Sequence, residues 1–239
     1  MESYPVLEAL AAGQLWIALQ PIVDLRRRRT FAYEALLRSD SPLFPGPLEV
    51  LHASLAEGTI GRLGRALRQM SVDACPGESL FLNIHPNEFA EGWLVRPDDP
   101  IFSHDAAVHI EITESVPLTH FRYCHSVLEE VRSKGIYLAV DDLGAGYSNL
   151  KYIADLRPDV VKLDRELIAG LDRKERLHRL VTSLVRLCAD LGAKVVAEGI
   201  ETPGELTALL AAGVRYGQGF LLGRPERRPV VDWSVFAAA

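Results

Sequence analysis

The sequence predicts an α/β fold, a (β/α)8 TIM-like barrel with the first strand antiparallel to the others. Eight short apolar runs alternate with helix-length amphipathic stretches almost from end to end, the pattern of parallel strands joined by helical crossovers. The first two runs are separated only by the polar turn Asp24 to Thr30, which suits an antiparallel hairpin and is too short for a crossover. No GxGxxG fingerprint supports an open doubly wound sheet. A chain of 239 residues fits one such barrel.

In chain order the strand candidates are 15–23, 31–37, 80–85, 108–114, 137–142, 159–164, 194–199 and 216–222. They are rich in Val, Ile, Leu and aromatics, and most are bounded by Gly, Pro or Asp. A helical pattern runs from Pro117 to Ser133, with Gly135 as its stop. A second, Arg173 to Leu191, puts Leu177, Leu180, Val181, Leu184, Val185, Cys188 and Leu191 on one face and ends at Gly192. A third opens with Thr202 as N-cap, Pro203 at the first helical position and Glu205 completing a capping box. No internal repeat, low-complexity tract or long linker divides residues 1–239, which read as a single domain.

Hydrophobic residues make up 48% and charged residues 24%, a globular composition. The net charge of −6 argues against a broad basic surface for long nucleic acids. A small anionic ligand stays open, because metal ions reverse the field locally. Cys75, Cys124 and Cys188 have unrelated spacings and read as apolar thiols in a reducing compartment. The amino terminus lacks a signal-peptide pattern. No run of 18 apolar residues predicts a membrane span, and the expected location is the cytoplasm.

Acidic and amide residues gather at the carboxyl ends of the strand candidates, where barrel enzymes assemble active sites. They are Glu34, Asn83, Glu111, the pair Asp141-Asp142 and Glu198, with the basic Lys162 placed likewise. Strand alternation turns each plausible inward position toward the barrel mouth. Isolated buried carboxylates are too costly to keep charged. Hard divalent cations, Mg²⁺ or Mn²⁺, remove that cost through oxygen ligands, and two adjacent aspartates can serve two ions. The absence of nearby Cys or paired His disfavours zinc. Arg26 to Arg29 read as a solvated hairpin turn, and His85 as a packing or hydrogen-bonding histidine.

Glu34-Ala35-Leu36 carries a resemblance. The chain resembles the EAL family of bacterial cyclic di-GMP phosphodiesterases there, and also at Gln20-Pro21-Ile22, Asn83 to Pro86 and Glu111 to Glu114. Asp141-Asp142-Leu143-Gly144-Ala145-Gly146-Tyr147-Ser148, Lys162-Leu163-Asp164, Glu198 to Thr202 and Gln218-Gly219-Phe220 continue it in family order, over about residues 5–225. The commonest form of the central loop reads DDFGTGYSSL, from which Leu143, Ala145 and Asn149 depart.

This resemblance implies a barrel with one reversed strand and hydrolysis of cyclic di-GMP to linear pGpG with two divalent cations. It implies Glu34, Asn83, Glu111 and Asp141 as ligands of one ion, and Asp141, Asp142 and Glu198 as ligands of the other. Glu198 resembles the general base and Lys162 the group that positions the attacking water. Gln20, Arg38 and Gln218 resemble substrate contacts. Glu201 and Asp164 resemble supporting acids, and Glu114 resembles the anchor of the glycine-rich loop after the paired aspartates. A homodimer is expected on the same ground, and sensory or GGDEF modules are open if the chain is cut from a larger protein. The rival is a catalytically silent receptor for cyclic di-GMP acting through a protein partner; such members usually lose an acidic ligand or the lysine, and this sequence keeps all of them.

Overall fold

A computed structural model of the chain describes residues 4–90, 92–113, 121–145 and 150–237. Strands β1 (Leu15–Asp24), β2 (Arg29–Ser39), β3 (Leu80–Asn83), β4 (Val108–Thr113), β5 (Tyr137–Leu143), β6 (Val160–Leu163), β7 (Lys194–Ala197) and β8 (Tyr216–Gly217) close into a barrel in sequence order. β1 runs antiparallel to both β2 and β8, and the remaining neighbours are parallel. The hairpin and the reversed first strand are thus as the sequence predicts, and Arg26 to Arg29 are exposed.

Around the barrel lie helices α1 (Pro5–Ala11), α2 (Pro47–Ala56), α3 (Ile60–Ala74), α4 (Asn87–Ala90), α5 (Phe121–Ser133), α6 (Lys151–Leu156), α7 (Arg165–Ile168), α8 (Glu175–Asp190) and α9 (Pro203–Ala211). Among the described residues no helix is long and apolar enough to cross a membrane. The first residues of the predicted 117–133 helix lie outside the described residues. The capping box of α9 forms: Thr202 accepts from Glu205 N, while the Glu205 carboxylate accepts from Thr202 N at 3.0 Å and Glu201 N at 2.9 Å. Glu205 also accepts from Gly170 N at 3.0 Å, tying α9 to the segment after α7.

The apolar face of α8 is narrower than predicted. Val181, Leu184 and Cys188 are buried, with Leu177 and Val185 packed beside them. Leu180 and Leu191 are 48% and 46% exposed, so they fall outside the face that the strands cover. The docking stripe of a helix against a sheet spans less of its circumference than a count of apolar residues suggests.

Inside the barrel the sequence alternation becomes a two-tier lining. Ile22, Ala32, Phe81, Ala139, Val160, Val196 and Tyr216 form one interior apolar cluster. His109 stacks on Phe81 with ring centroids 4.1 Å apart, and burial pushes its imidazole down to about 4. Small Ala32 and Ala139 make room for the rings, as layered barrel interiors require. On the seven parallel strands the residue two positions after the plug is polar: Glu34, Asn83, Glu111, Asp141, Lys162, Glu198 and Gln218. On β1 it is two positions before Ile22, at Gln20. Reversal of one strand therefore reverses its offset and keeps all the polar groups at one mouth.

Backbone closeness at that mouth depends on Gly219, where a Cβ would lie 2.2 Å from both the N and O of Ile200. Gly219→Ala should cost about 1–3 kcal/mol as an overpacked site, lowering the thermal midpoint by about 2–4 °C per kcal/mol. Calorimetry checks this; an unchanged midpoint would show that the two segments can part without cost.

Candidate active site

Lys162 organises the polar tier. It is 1% exposed, and its Nζ lies 2.6 Å from Glu198 Oε1, 2.7 Å from Glu111 Oε1 and 3.3 Å from both Glu34 Oε2 and Asp141 Oδ1. Glu34 is further held by amides: Gln218 Nε2 donates to its Oε2 at 2.6 Å and Asn83 Nδ2 to its Oε1 at 3.1 Å. Gln218 Nε2 also reaches Gln20 Oε1 at 2.9 Å, and Gln20 Nε2 donates to Gly223 O at 3.1 Å. Gln20 and Gln218 are both buried, so they orient Glu34 as well as lining the cavity.

Simple alternation would send Asp141 and Asp142 to opposite faces. The chain avoids this with a register shift between Val140 and Leu143, against Val161 and Leu163 of β6. Three residues of β5 thus advance against two of β6, the signature of a bulge, which re-aims side chains beside active sites. Asp142 takes a left-handed φ of 61°, which Asp tolerates better than most residues. Its N–H donates to Asp141 Oδ1 at 2.9 Å.

Four carboxylates around one ammonium leave the buried centre negative. Burial raises Glu111 well above the usual carboxylate range, with Lys162 pulling it down and Glu34 and Asp141 pushing it further up. Burial likewise pushes Glu198 up to about 8, against the pull of Lys162. Asp141 is raised by burial. Glu34 is lowered overall, because Lys162, Gln218 and Asn83 outweigh its burial. Burial would lower Lys162, but the surrounding carboxylates hold it well above its ordinary value.

The donor set fits divalent cations. Both Glu111 oxygens are buried without a hydrogen-bond partner, Oε1 keeping its ion pair with Lys162. Among the described residues Glu34, Glu111 and Asp141 bring ligand atoms within 4.8 Å of one another, as do Asp141, Asp142 and Glu198. Asp141 belongs to both sets, and all the donors are the oxygen type that Mg²⁺ and Mn²⁺ take.

A cavity of about 450 Å³ opens above them, lined among others by Glu34, Asp141, Asp142, Glu198 and Gln218. Asp164 and Glu201 line it too, though neither pairs with Lys162. Asp164 caps α7 by accepting from Glu166 N at 2.7 Å, and Glu201 pairs with Arg165 at 2.8 Å. Arg165 is a cavity cation that the sequence reading passed over, although it directly follows the Lys162-Leu163-Asp164 motif. Arg38 is half-buried and lines a neighbouring cavity, with its Nη1 on Leu37 O at 2.8 Å. His85 accepts from Asn87 N through Nδ1 at 3.2 Å and stands outside the acidic sets. Glu114 and the loop residues Gly146 to Asn149 lie outside the described residues.

Fold and centre together define a closed barrel with an acidic, cation-type site at its carboxyl mouth. The EAL domain model matches residues 5–225, so the chain belongs to the EAL domain family. The cyclic di-GMP phosphodiesterase PA2567 of Pseudomonas aeruginosa is 30% identical over 91% of this chain and 39% of its own length. MucR of the same organism, a bifunctional diguanylate cyclase/cyclic di-GMP phosphodiesterase, is 31% identical over 91% of this chain and 34% of its own. The chain therefore spans less than two fifths of either relative's length. Among solved structures, Klebsiella pneumoniae BlrP1 with manganese and cyclic di-GMP superimposes with a TM-score of 0.78 at 33% identity, covering 92% of this chain and 59% of that one. The PaMucR phosphodiesterase complex with c-di-GMP gives 0.79 at 28% identity, covering 93% and 97%.

The raised Glu198 carboxyl makes a prediction about stability. Folded metal-free protein keeps a proton up to about pH 8 that the unfolded chain, near its ordinary 4.5, releases earlier. Stability contributed by this group therefore falls as pH rises from about 4.5 to about 8 and is level outside that window. In chelator, Glu198→Gln should gain thermal midpoint over the parent as pH goes from 5 to 8. A difference that stays constant with pH would refute the assignment.

Proposed function

We propose that this chain is a cyclic di-GMP-specific phosphodiesterase domain that opens the cyclic dinucleotide to linear pGpG. The observation that carries this reading is the complete centre: Lys162 among Glu34, Glu111, Asp141 and Glu198, with two acidic sets sharing Asp141. It is supported by the relatives and by solved neighbours that hold the dinucleotide. In this reading the domain works in the cytoplasm as a homodimer.

Glu34, Asn83, Glu111 and Asp141 would hold one divalent cation, and Asp141, Asp142 and Glu198 a second, Mg²⁺ or Mn²⁺. When bound, such ions polarise the scissile phosphate and acidify water. Glu198, a carboxylate at the cavity beside Lys162, would accept the proton of the attacking water. Lys162 donates toward that water and toward the charge that grows on the phosphoryl oxygens. Its burial makes this charge act where water screens little. Gln20 and Gln218 keep the Glu34 carboxylate turned inward while the ligand occupies the mouth. Arg38, Arg165 and Phe220 at the two cavities face the rest of the ligand and hold it in line.

Incubation with cyclic di-GMP, with products resolved by chromatography, tests the reading. Turnover to pGpG should require Mg²⁺ or Mn²⁺ and stop in chelator, while Ca²⁺ binds without supporting it because its looser coordination misplaces the water. Binding without turnover under every metal would instead make the domain a receptor.

Lys162→Ala should reduce the rate by roughly 10²-fold or more while calorimetry still detects dinucleotide binding. Hydrolysis at the parent rate would remove Lys162 from the chemistry.

A further inference from the structure

We infer that Arg68, Glu88 and Asp99 are positioning residues, a buried ionic network that holds Asn83 at the catalytic carboxylates from outside the barrel. The inference rests on the proposed role of Asn83 as a cation ligand. Asn83 ends β3 and is exposed, and its Nδ2 donates to Glu34 Oε1 at 3.1 Å. Its backbone is in register with Glu111 on β4, and Ile84 N donates to Glu111 O at 3.0 Å. The turn that follows, from Ile84 to Pro86 before α4, sets how this strand end is held.

Glu88 clamps that turn. It is 2% exposed, and its Oε1 accepts from His85 N at 3.0 Å, while its own N–H donates to His85 O at 2.9 Å. Its Oε2 pairs with Arg68 Nη1 on α3. Arg68, also 2% exposed, forks away to Asp99, with Nε at 3.1 Å and Nη2 at 2.8 Å from Oδ2. Asp99 in turn accepts from Ile101 N at 3.3 Å, anchoring the network in the 3-10 turn Pro100–Ser103.

Two further observations set this network apart from an ordinary buried ion pair. Gly64, inside α3, faces the Glu88 carboxylate so closely that a Cβ would stand 1.9 Å from Oε2. Glycine in a helix interior is destabilising relative to alanine, so the helix concedes stability to let Glu88 in. Beyond the turn, half-buried His85 and Pro86 border a cavity of about 450 Å³, while Ile84 is buried in the outer core. Apolar packing therefore holds the start of the turn at Ile84, and the Glu88 carboxylate holds His85. Buried ion pairs are weak stabilisers compared with apolar replacements; direction, which an apolar contact lacks, is what Glu88 supplies at His85 N.

The test is Mn²⁺ binding by calorimetry on the full chain without substrate, beside thermal unfolding in chelator. Glu88→Gln should weaken Mn²⁺ binding about tenfold, in the range of changes to groups that orient metal ligands. In an Asn83→Ala background, the same change should add nothing. Parent-like Mn²⁺ affinity in folded Glu88→Gln overturns the inference. If Asn83→Ala itself leaves affinity intact, the cation role of Asn83 is what fails. Should Glu88→Gln not fold, Arg68→Lys, which keeps the charge without the fork, carries the same expectation. If neither folds, the network serves the fold alone and the inference is wrong.

Discussion

A single buried ammonium facing four carboxylates is the constraint on which the site depends. Lys162 cannot neutralise Glu34, Glu111, Asp141 and Glu198 together, and an uncompensated buried carboxylate is costly. Without cations the protein meets that cost by holding protons, which is why burial leaves Glu111 and Glu198 raised. The same oxygens are of the type that hard divalent cations take. Keeping four carboxylates around one ammonium concedes stability of the empty barrel, as functional sites commonly do.

The tiered interior makes such a concentration of charge tolerable. Directly beneath the acids, Phe81, His109 and Tyr216 fill the barrel with rings, and His109 stays neutral among them. That plug fills the barrel beneath Lys162, which is 1% exposed, while a cavity opens above the acids. The reversed β1 contributes by the same geometry, since Gln20 reaches the mouth only because its strand runs downward past Ile22. Gln20, Gln218 and the carbonyl of Gly223 then form a short chain of hydrogen bonds across the β8–β1 seam, ending on Glu34. Barrel closure and carboxylate orientation are thus one set of contacts.

Much of this was legible in the sequence because the period of the strands is two and their boundaries are marked by Gly, Pro and Asp. The eight strands, the hairpin and the α9 capping box follow from local rules, and the polar residues at strand ends follow from placing the alternation on a barrel. The bulge at Asp141-Asp142 was not legible, since a register shift depends on the neighbouring strand and leaves no mark in spacing. Nor was the Arg68–Glu88–Asp99 network, whose members lie 20 and 31 residues apart in sequence. Its one local trace was Gly64 within an otherwise good helix. On α8, apolar spacing placed Leu180 and Leu191 on the buried face, but spacing does not report how wide a stripe the sheet covers.

The place of Asp164 shows how far a supporting residue acts from the atoms it serves. Alternation put it on the same face as Lys162, yet the two make no ion pair. Its N–H donates to Leu143 O at 3.0 Å, joining the end of β6 to the end of β5 just past the paired aspartates. Its carboxylate caps α7, and α7 carries Leu167, which lies where a Cβ on Gly144 would be, 2.6 Å away. Gly144 has a φ of 110°, open only to glycine at low cost. It directly follows the bulge that turns Asp142 inward. Asp164 therefore seats the helix that presses the exit of the bulge, and its influence reaches the site through the backbone of residues 142–144 rather than through Lys162. This is also where the departures Leu143 and Ala145 fall: Leu143 is buried against the outer core, and Ala145 N donates to Asp142 O at 3.1 Å. Both substitutions thus lie on the backbone that fixes Asp142, while every candidate ligand keeps its oxygen.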